Sequence, residues 1–212
     1  MTNFFGNGNT VAALHEMAAA GRIAQTLLFS GPEGVGKATL ARRFAAELLK
    51  ADSSANAARI DQDDLSLDSN LQIIADREKW PSEKRNEDPL LFSSHPDFVT
   101  FAPDGPLRQI SIQQMRLLKD RASLKPLKGS WRVFLIDGID RANEQAANSL
   151  LKTLEEPPSH LVLIMTARNP YDLLPTIRSR AVPFALSRLT DEEMASFAAA
   201  RSRVSSPAAA LA

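Results

Sequence analysis

The run Gly31-Pro-Glu-Gly34-Val-Gly36-Lys37 carries the clearest chemistry in the chain. Glycines let a backbone take positive φ and come close to an anion, so that successive N–H groups converge on phosphate oxygens. A helix starting at the lysine adds the positive end of its dipole, and the ammonium group reaches the outer phosphates. This is the phosphate-binding P-loop pattern, which needs a strand before it and a helix after it. Leu27–Phe29 supplies the strand, and Leu40, Phe44 and Leu48 recur every four residues to supply the helix. A glycine turn that merely joins strand to helix is the competing reading. Spacing, lysine and setting together favour phosphate.

Two positions depart from the pattern that hydrolysis needs. The residue after the lysine should be Ser or Thr, whose hydroxyl ligates Mg²⁺, but it is Ala38. Thr39 has a hydroxyl, yet one helical residue further on it is rotated by about 100°. The apolar run Trp131–Ile136 ends in Asp137, the form of a Walker B strand, whose Asp supports Mg²⁺. Gly138 follows, where a hydrolysing site has a Glu to activate water. Asp140 stands two residues beyond, and a plain strand-ending carboxylate is the competing reading of Asp137. A degenerate site is therefore expected, holding ATP or ADP through Gly31, Gly34, Gly36, Lys37, Ala38 and Thr39 better than it could turn it over.

Other chemistries are excluded by composition. The chain has no Cys, and His15, His95 and His160 are scattered, so a thiolate zinc site, a cysteine nucleophile and a histidine-built metal site are not expected. Among 212 residues, 25 Lys plus Arg balance 25 Asp plus Glu, a formal net charge of zero. Nucleic-acid contact would thus need a local patch, and Arg116, Lys119, Lys125, Lys128 and Arg132 form one candidate, although such a run is more often a solvated face. The first ten residues lack the basic-then-apolar order of a secretory signal. The longest strongly apolar run, Leu161–Met165, is far short of the roughly 20 residues of a membrane span. A cytoplasmic protein that does not contact a membrane is the expectation.

The elements that must position these groups can be read from periodicity. Leu27–Phe29, Phe98–Phe101, Val133–Ile136 and Leu161–Met165 are short apolar runs without alternation, the mark of strands covered on both faces. Between them, Met115, Leu118 and Ala122, and then Ala147, Leu150 and Leu154, follow helical steps. Strands alternating with amphipathic helices predict an α/β fold with a parallel sheet flanked by helices. Asn143 should cap one helix and Pro157-Pro158 should stop it. Thr190-Asp-Glu-Glu193 reads as a capping box for a last helix over about 191–201. Residues 51–94 are polar and charge-dense, with Asp61, Asp63, Asp64 and Asp68 clustered, and read as an insertion that is partly helical at best. The ending RSRVSSPAAALA has no apolar period and reads as a fraying end or a cut at a linker.

Taken together, Gly21-Arg-Ile23, Leu27–Lys37, His95-Pro-Asp97, Ile112–Arg116, Val133–Asp140, Ala147–Pro158 and Thr176–Arg180 resemble the AAA+ subunits of bacterial DNA polymerase III clamp loaders, the delta-prime type above all. The resemblance covers most of the chain apart from the insertion and tail. It implies a P-loop AAA+ domain over 1–185 and the start of a small helical lid with a tail over 186–212. It also implies work in a five-subunit ring, part of the polymerase III holoenzyme, in which gamma/tau and delta-type subunits are partners. That ring opens a sliding clamp and places it on primer-template DNA. Delta-prime members generally do not hydrolyse ATP. They contribute an arginine from a Ser-Arg-Cys motif to a neighbour's ATP site, which maps onto Ser179-Arg180, with Ala181 in place of Cys and Arg178 as near competitor. A guanidinium suits that task because it stays protonated and its planar fork can bridge γ-phosphate oxygens. The resemblance makes Thr166 either a sensor of the γ-phosphate or only a strand-end hydroxyl. Many relatives hold a structural zinc with four Cys in the segment matching 51–94. Here no structural zinc is expected, and the insertion must be stabilised otherwise or be mobile. The collar domain of full-length relatives would have no room in 212 residues. The alternative reading is a working ATPase of the gamma/tau type, with Thr39 and Asp140 standing in for the missing groups.

Overall fold

A computed structural model describes residues 4–50 and 54–204. Six strands, β1 (Thr26–Ser30), β2 (Leu91–His95), β3 (Phe98–Phe101), β4 (Arg132–Ile136), β5 (Leu161–Ala167) and β6 (Val182–Ala185), form one sheet in the order β2-β3-β4-β5-β1-β6, and the four apolar runs supply β1, β3, β4 and β5. All neighbours run parallel except β2, which returns antiparallel on β3. Every residue of β1, β3, β4 and β5 is buried, which is why these strands lack polar alternation.

Nine helices are described: α1 (Gly8–Ala19), α2 (Lys37–Leu48), α3 (Ser54–Asp61), α4 (Asp68–Glu78), α5 (Ser82–Glu87), α6 (Ile112–Ala122), α7 (Glu144–Glu155), α8 (Pro175–Arg178) and α9 (Asp191–Val204). On one face of the sheet, Leu14 of α1 and Leu40 and Phe44 of α2 pack against Leu27, Phe29 and Leu135. On the other, Met115 and Leu118 of α6 and Leu150 and Leu154 of α7 pack against Leu28, Phe134 and Leu163. Each fully buried Leu or Phe contributes about 1.5–3 kcal/mol, so these two layers fix the strand ends that carry the site. No helix among the described residues is long and apolar enough to cross a membrane.

Helix ends follow local chemistry. Asn143 Oδ1 accepts from the Ala146 amide, and α7 stops before Pro157. The Thr190 hydroxyl accepts from the Glu193 amide while the Glu193 carboxylate accepts from the Thr190 amide, and the helix so capped runs to Val204, past the expected end near 201. Most of the tail, 205–212, lies outside the described residues. A second capping box, Ser111 with Gln114, starts α6.

The insertion differs most from expectation. It holds three helices, α3 to α5, and delivers the edge strand β2. Its polar composition reflects how it is held: by side-chain pairs rather than by a broad apolar face. Arg77, 5% exposed, makes a two-pronged contact to Asp104 (3.1 and 2.8 Å) and pairs with Asp88 at 3.2 Å. Arg42 of α2 pairs with Asp64, and Asn70 Nδ2 donates to the carbonyls of Gln62 (2.7 Å) and Asp64 (2.8 Å). Fully buried Gln114 closes the module from α6, donating to the Leu90 and Ala102 carbonyls at 2.7 Å each.

Candidate nucleotide site

The P-loop spans the gap between Ser30, the last residue of β1, and Lys37, the first of α2. Gly31, Gly34 and Gly36 all have positive φ (145°, 82° and 88°). Gly31 also faces the Leu186 carbonyl oxygen, which an added Cβ would meet at 2.2 Å, so no side chain is tolerated there. Leu186 is in turn fixed by donating its amide to the Ser30 carbonyl at 2.7 Å. The loop is thus clamped between β1 and the segment after β6.

Above it opens a cleft of about 560 Å³. One wall is Gly34, Gly36, Lys37, Ala38 and Thr39. The opposite wall is Asp137, Gly138 and Asp140 from the end of β4, with Thr166 and Arg168 from the end of β5. Asp64, Leu65 and Ser66 of the insertion close a third side. The sequence-predicted residues of the phosphate loop, except Gly31, and of both strand ends therefore meet in one place, at the carboxyl ends of parallel strands, where open α/β sheets bind ligands.

The charges in this cleft hold one another. Lys37 Nζ donates to the Gly31 and Pro32 carbonyls at 2.6 Å each. Burial lowers its pKa, against the opposing pull of Asp137, Asp140 and Glu33. Burial pushes the Asp137 carboxyl up, and the Thr166 hydroxyl, donating at 2.6 Å, pulls it back. The same hydroxyl accepts the Gly138 amide at 2.8 Å. Asp140, with a side chain only 2% exposed, accepts from Arg168 Nε at 3.0 Å. The Thr39 hydroxyl accepts from Arg42 Nη2 at 3.4 Å, and that nitrogen also donates to Asp64.

Phosphate fits the glycine amides and Lys37. Mg²⁺ does not fit the donor set equally well. Ala38 presents a methyl group where a ligating hydroxyl is needed and Thr39 is turned to Arg42, while Asp137, Asp140 and Asp64 each accept from a protein donor but keep further lone pairs. Gly138 has φ 84° and N-caps a 3₁₀ turn, so a Glu at this place would be strained.

Arg180 lies elsewhere. Val182 pairs with Leu27 in the parallel register of β6 on β1. Arg180 therefore precedes the start of β6 while the P-loop leaves the far end of β1, a separation on the order of 20 Å at about 3.3 Å per residue. Its Nη1 donates to the Thr176 carbonyl and its Nη2 to Glu155, both at 2.9 Å. Arg178 stacks its guanidinium 5.0 Å from the ring centre of Tyr171 instead.

The basic patch loses one member. Arg116, Lys119, Lys125 and Lys128 are exposed, but Arg132 is 6% exposed and donates to the Leu124 and Lys125 carbonyls at 3.3 Å each. It supports the turn between α6 and β4 from beneath, and Asp97 pins the same turn by accepting from the Leu127 and Lys128 amides at 2.7 Å each. Burial, which bars Arg132 from a phosphate backbone, was not legible from its type. Sequence reasoning also missed Arg42 and Arg168 as cleft residues. Arg42 could have been flagged as a charge between Leu40 and Phe44 on the buried side of α2. Nothing local marks Arg168.

The family model described as "DNA polymerase III, delta subunit" matches residues 6–190. Similar proteins include the DNA polymerase III subunit gamma/tau of Mycobacterium tuberculosis, 33% identical over 184 residues, 85% of this chain and 28% of that one. The DNA polymerase III subunit delta' of Pseudomonas aeruginosa is 31% identical over 159 residues, 75% of this chain and 42% of that one. The chain thus spans well under half the length of these relatives. Among solved structures, a DNA polymerase III gamma subunit-related protein of Thermotoga maritima superposes with a TM-score of 0.54 at 20% identity, over 84% of this chain and 47% of that one. The RuvB Holliday junction branch migration motor of the same organism gives a TM-score of 0.58 at 18% identity, over 95% and 52%. These two likenesses show the fold: mixed α/β with a mostly parallel six-stranded sheet flanked by helices. Matched by its model over nearly the whole described length, and with both gamma/tau and delta-prime proteins among its relatives, the chain belongs to the delta-type and gamma/tau clamp-loader family of DNA polymerase III.

Proposed function

We propose that this chain acts in DNA replication as a delta-prime-type clamp-loader subunit. In this reading it is a non-hydrolysing AAA+ scaffold that helps load the sliding clamp onto primer-template DNA and donates Arg180 to the ATP site of a neighbouring gamma/tau-type subunit. The observation that carries the reading is the position of Arg180. It sits at the opposite end of the sheet from its own P-loop and is partly exposed, which supports a role toward another molecule's phosphates over one in its own cleft. The cleft supports the other half: it keeps an amide cradle and Lys37 for ATP or ADP, but has Ala38 and a positive-φ Gly138 where metal support and water activation are needed. In this reading residues 1–185 are the nucleotide-binding unit and 186–212 the start of the lid, of which 205–212 lie outside the described residues. Other gamma/tau and delta-type subunits, and through them the clamp and DNA, are the partners.

A second reading, a working gamma/tau-type ATPase, is favoured by the gamma/tau relatives and by Thr39 and Asp140 both lining the cleft. Turnover separates the two. The purified protein with Mg·ATP should show no hydrolysis above background, and robust hydrolysis abolished by Lys37→Ala would establish the second reading instead. In a clamp loader reconstituted with this protein, Arg180→Ala should depress clamp- and DNA-stimulated hydrolysis while the ring still assembles.

A further inference from the structure

Arg180 does not hang free in the structure. Its two outer nitrogens are held by different elements: Nη1 by the Thr176 carbonyl of α8 and Nη2 by the Glu155 carboxylate at the end of α7. Both anchors are themselves fixed. α8 is moored by Ile177, 1% exposed in the core with α7. Glu155 is the last helical residue before the Glu156-Pro157-Pro158 corner, and Gln25 Nε2 ties that corner to the approach of β1 by donating to the Pro158 carbonyl at 2.8 Å. The guanidinium plane is thus set from two sides of a rigid frame.

The contact to Glu155 uses one carboxylate oxygen and one N–H. A guanidinium has five N–H donors, so the remaining three stay available to an incoming acceptor. With side chains 34% and 50% exposed, the pair is open to solvent on its outer side. An ion pair this exposed adds little to stability. Its physical effect is to remove rotamer freedom from a long side chain before a ligand arrives, which is how a group acting in trans gains rate without new contacts.

Resting on the trans-arginine reading above, we infer that Glu155 is a positioning residue for Arg180, holding the guanidinium with the Thr176 carbonyl in the orientation that meets the phosphate oxygens of a nucleoside triphosphate bound to a neighbouring subunit. A carboxylate so close to the arginine also keeps it from folding onto other acceptors of its own chain when the neighbour is absent.

The test is steady-state ATP hydrolysis by a reconstituted clamp loader containing wild-type protein, Glu155→Ala, Glu155→Gln, Arg180→Ala or the Glu155→Ala/Arg180→Ala double variant. Glu155→Ala should lower kcat by about 10- to 100-fold, since a misplacement of about 1 Å can cost up to about 100-fold in rate, with KM for ATP unchanged. Glu155→Gln keeps an acceptor oxygen and should stay within about 2-fold of wild type on the same orientation argument. The double variant should be no slower than Arg180→Ala alone, because Glu155 acts only through that arginine. If Arg180→Ala is itself without effect, the trans-arginine reading fails. If Arg180→Ala is slow but Glu155→Ala matches or exceeds wild type, or the double variant falls below Arg180→Ala, the reading stands and the role of Glu155 is overturned. Unchanged thermal melting of Glu155→Ala excludes a folding defect as the cause of its slower rate.

Discussion

The Thr166 hydroxyl donates to Asp137 Oδ1 across 2.6 Å while accepting the Gly138 amide at 2.8 Å. One side chain at the end of β5 thereby satisfies the acidic end of β4 and the first amide of the turn beyond it. Thr166→Val keeps the shape but removes both bonds. It leaves a desolvated carboxyl without its donor and an amide without its acceptor, at a cost of about 1–3 kcal/mol each where no water replaces them. For a protein of this size each kcal/mol lowers Tm by about 2–4 °C. A melting curve unchanged by Thr166→Val would show that the hydroxyl carries no such load.

Ala38 predicts a particular nucleotide response. Calorimetric titration of the wild-type protein with ATP should give affinities that differ by less than about 3-fold, under ~0.7 kcal/mol, with Mg²⁺ and in EDTA. Ala38→Thr places a hydroxyl on the cleft wall opposite Asp137 and should make binding tighter with Mg²⁺ than without. If the variant is as indifferent to the metal as the parent, the missing hydroxyl is not what limits metal support.

Arg42 and Asp64 make a third case. Arg42 is 2% exposed, its Nε and Nη1 have no hydrogen-bond partner in the structure, and it hydrogen-bonds Asp64 across to the insertion, with Asp63 and Asp137 also acting on it through charge. Asp64→Ala takes away the carboxylate hydrogen-bonded to a buried guanidinium and should cost up to about 3 kcal/mol, whereas Arg42→Met with Asp64→Ala should recover part of that loss, because an apolar replacement of a buried pair is often neutral. Urea denaturation of the two variants measures the difference. A double variant less stable than Asp64→Ala would mean that Arg42 earns its place by packing, not by charge.

What the sequence disclosed and what it hid divide by distance along the chain. The strand and helix on either side of the glycine-rich loop, the Asn143 and Thr190 caps and the buried runs of β1, β3, β4 and β5 are all written within a few consecutive residues, and each appears where the pattern places it. The insertion did not disclose its order, because Arg42–Asp64 and Arg77–Asp104 join residues 22 and 27 apart and leave no periodic trace. β6 escaped notice because Val182-Pro-Phe-Ala185 is short, largely exposed and contains proline, which an edge strand tolerates and an inner one does not. α1 was missed because Leu14 is the one fully buried residue of its alanine-rich run. At the candidate cleft, Gly34, Gly36, Lys37, Ala38, Thr39 and Asp137 were marked by type and spacing and Thr166 by the family resemblance, whereas Arg42 and Arg168 were marked by neither. Neither could foretell that Thr166 closes Asp137, or that Arg168 closes Asp140, since these pairs span separate strand ends.

His95 gives a prediction whose sign follows from burial. The ring is 3% exposed, and its Nδ1 accepts the Asp97 amide at 3.1 Å, a bond only the unprotonated nitrogen can make. Burial lowers the His95 pKa, the nearby Asp97 carboxylate opposes that shift, and Lys128 and Arg59 reinforce it. In the unfolded chain the histidine titrates near its ordinary 6.5. As pH falls through that value the unfolded state takes up a proton that the folded state refuses, so the folded state loses stability progressively until the lowered native pKa is reached. Above the ordinary value the contribution is constant. His95→Asn offers a neutral oxygen in place of Nδ1 and cannot titrate. The difference in unfolding free energy, wild type minus variant, should therefore be flat from pH 8 to about 7 and fall below pH 6.5. Because Asp97 also pins the Leu127 and Lys128 amides, protonation of His95 should first loosen the turn between α6 and β4, seen as faster amide exchange there. A difference that stays level down to pH 5 would mean that the ring is protonated as easily folded as unfolded, and that the Asp97 amide has another acceptor.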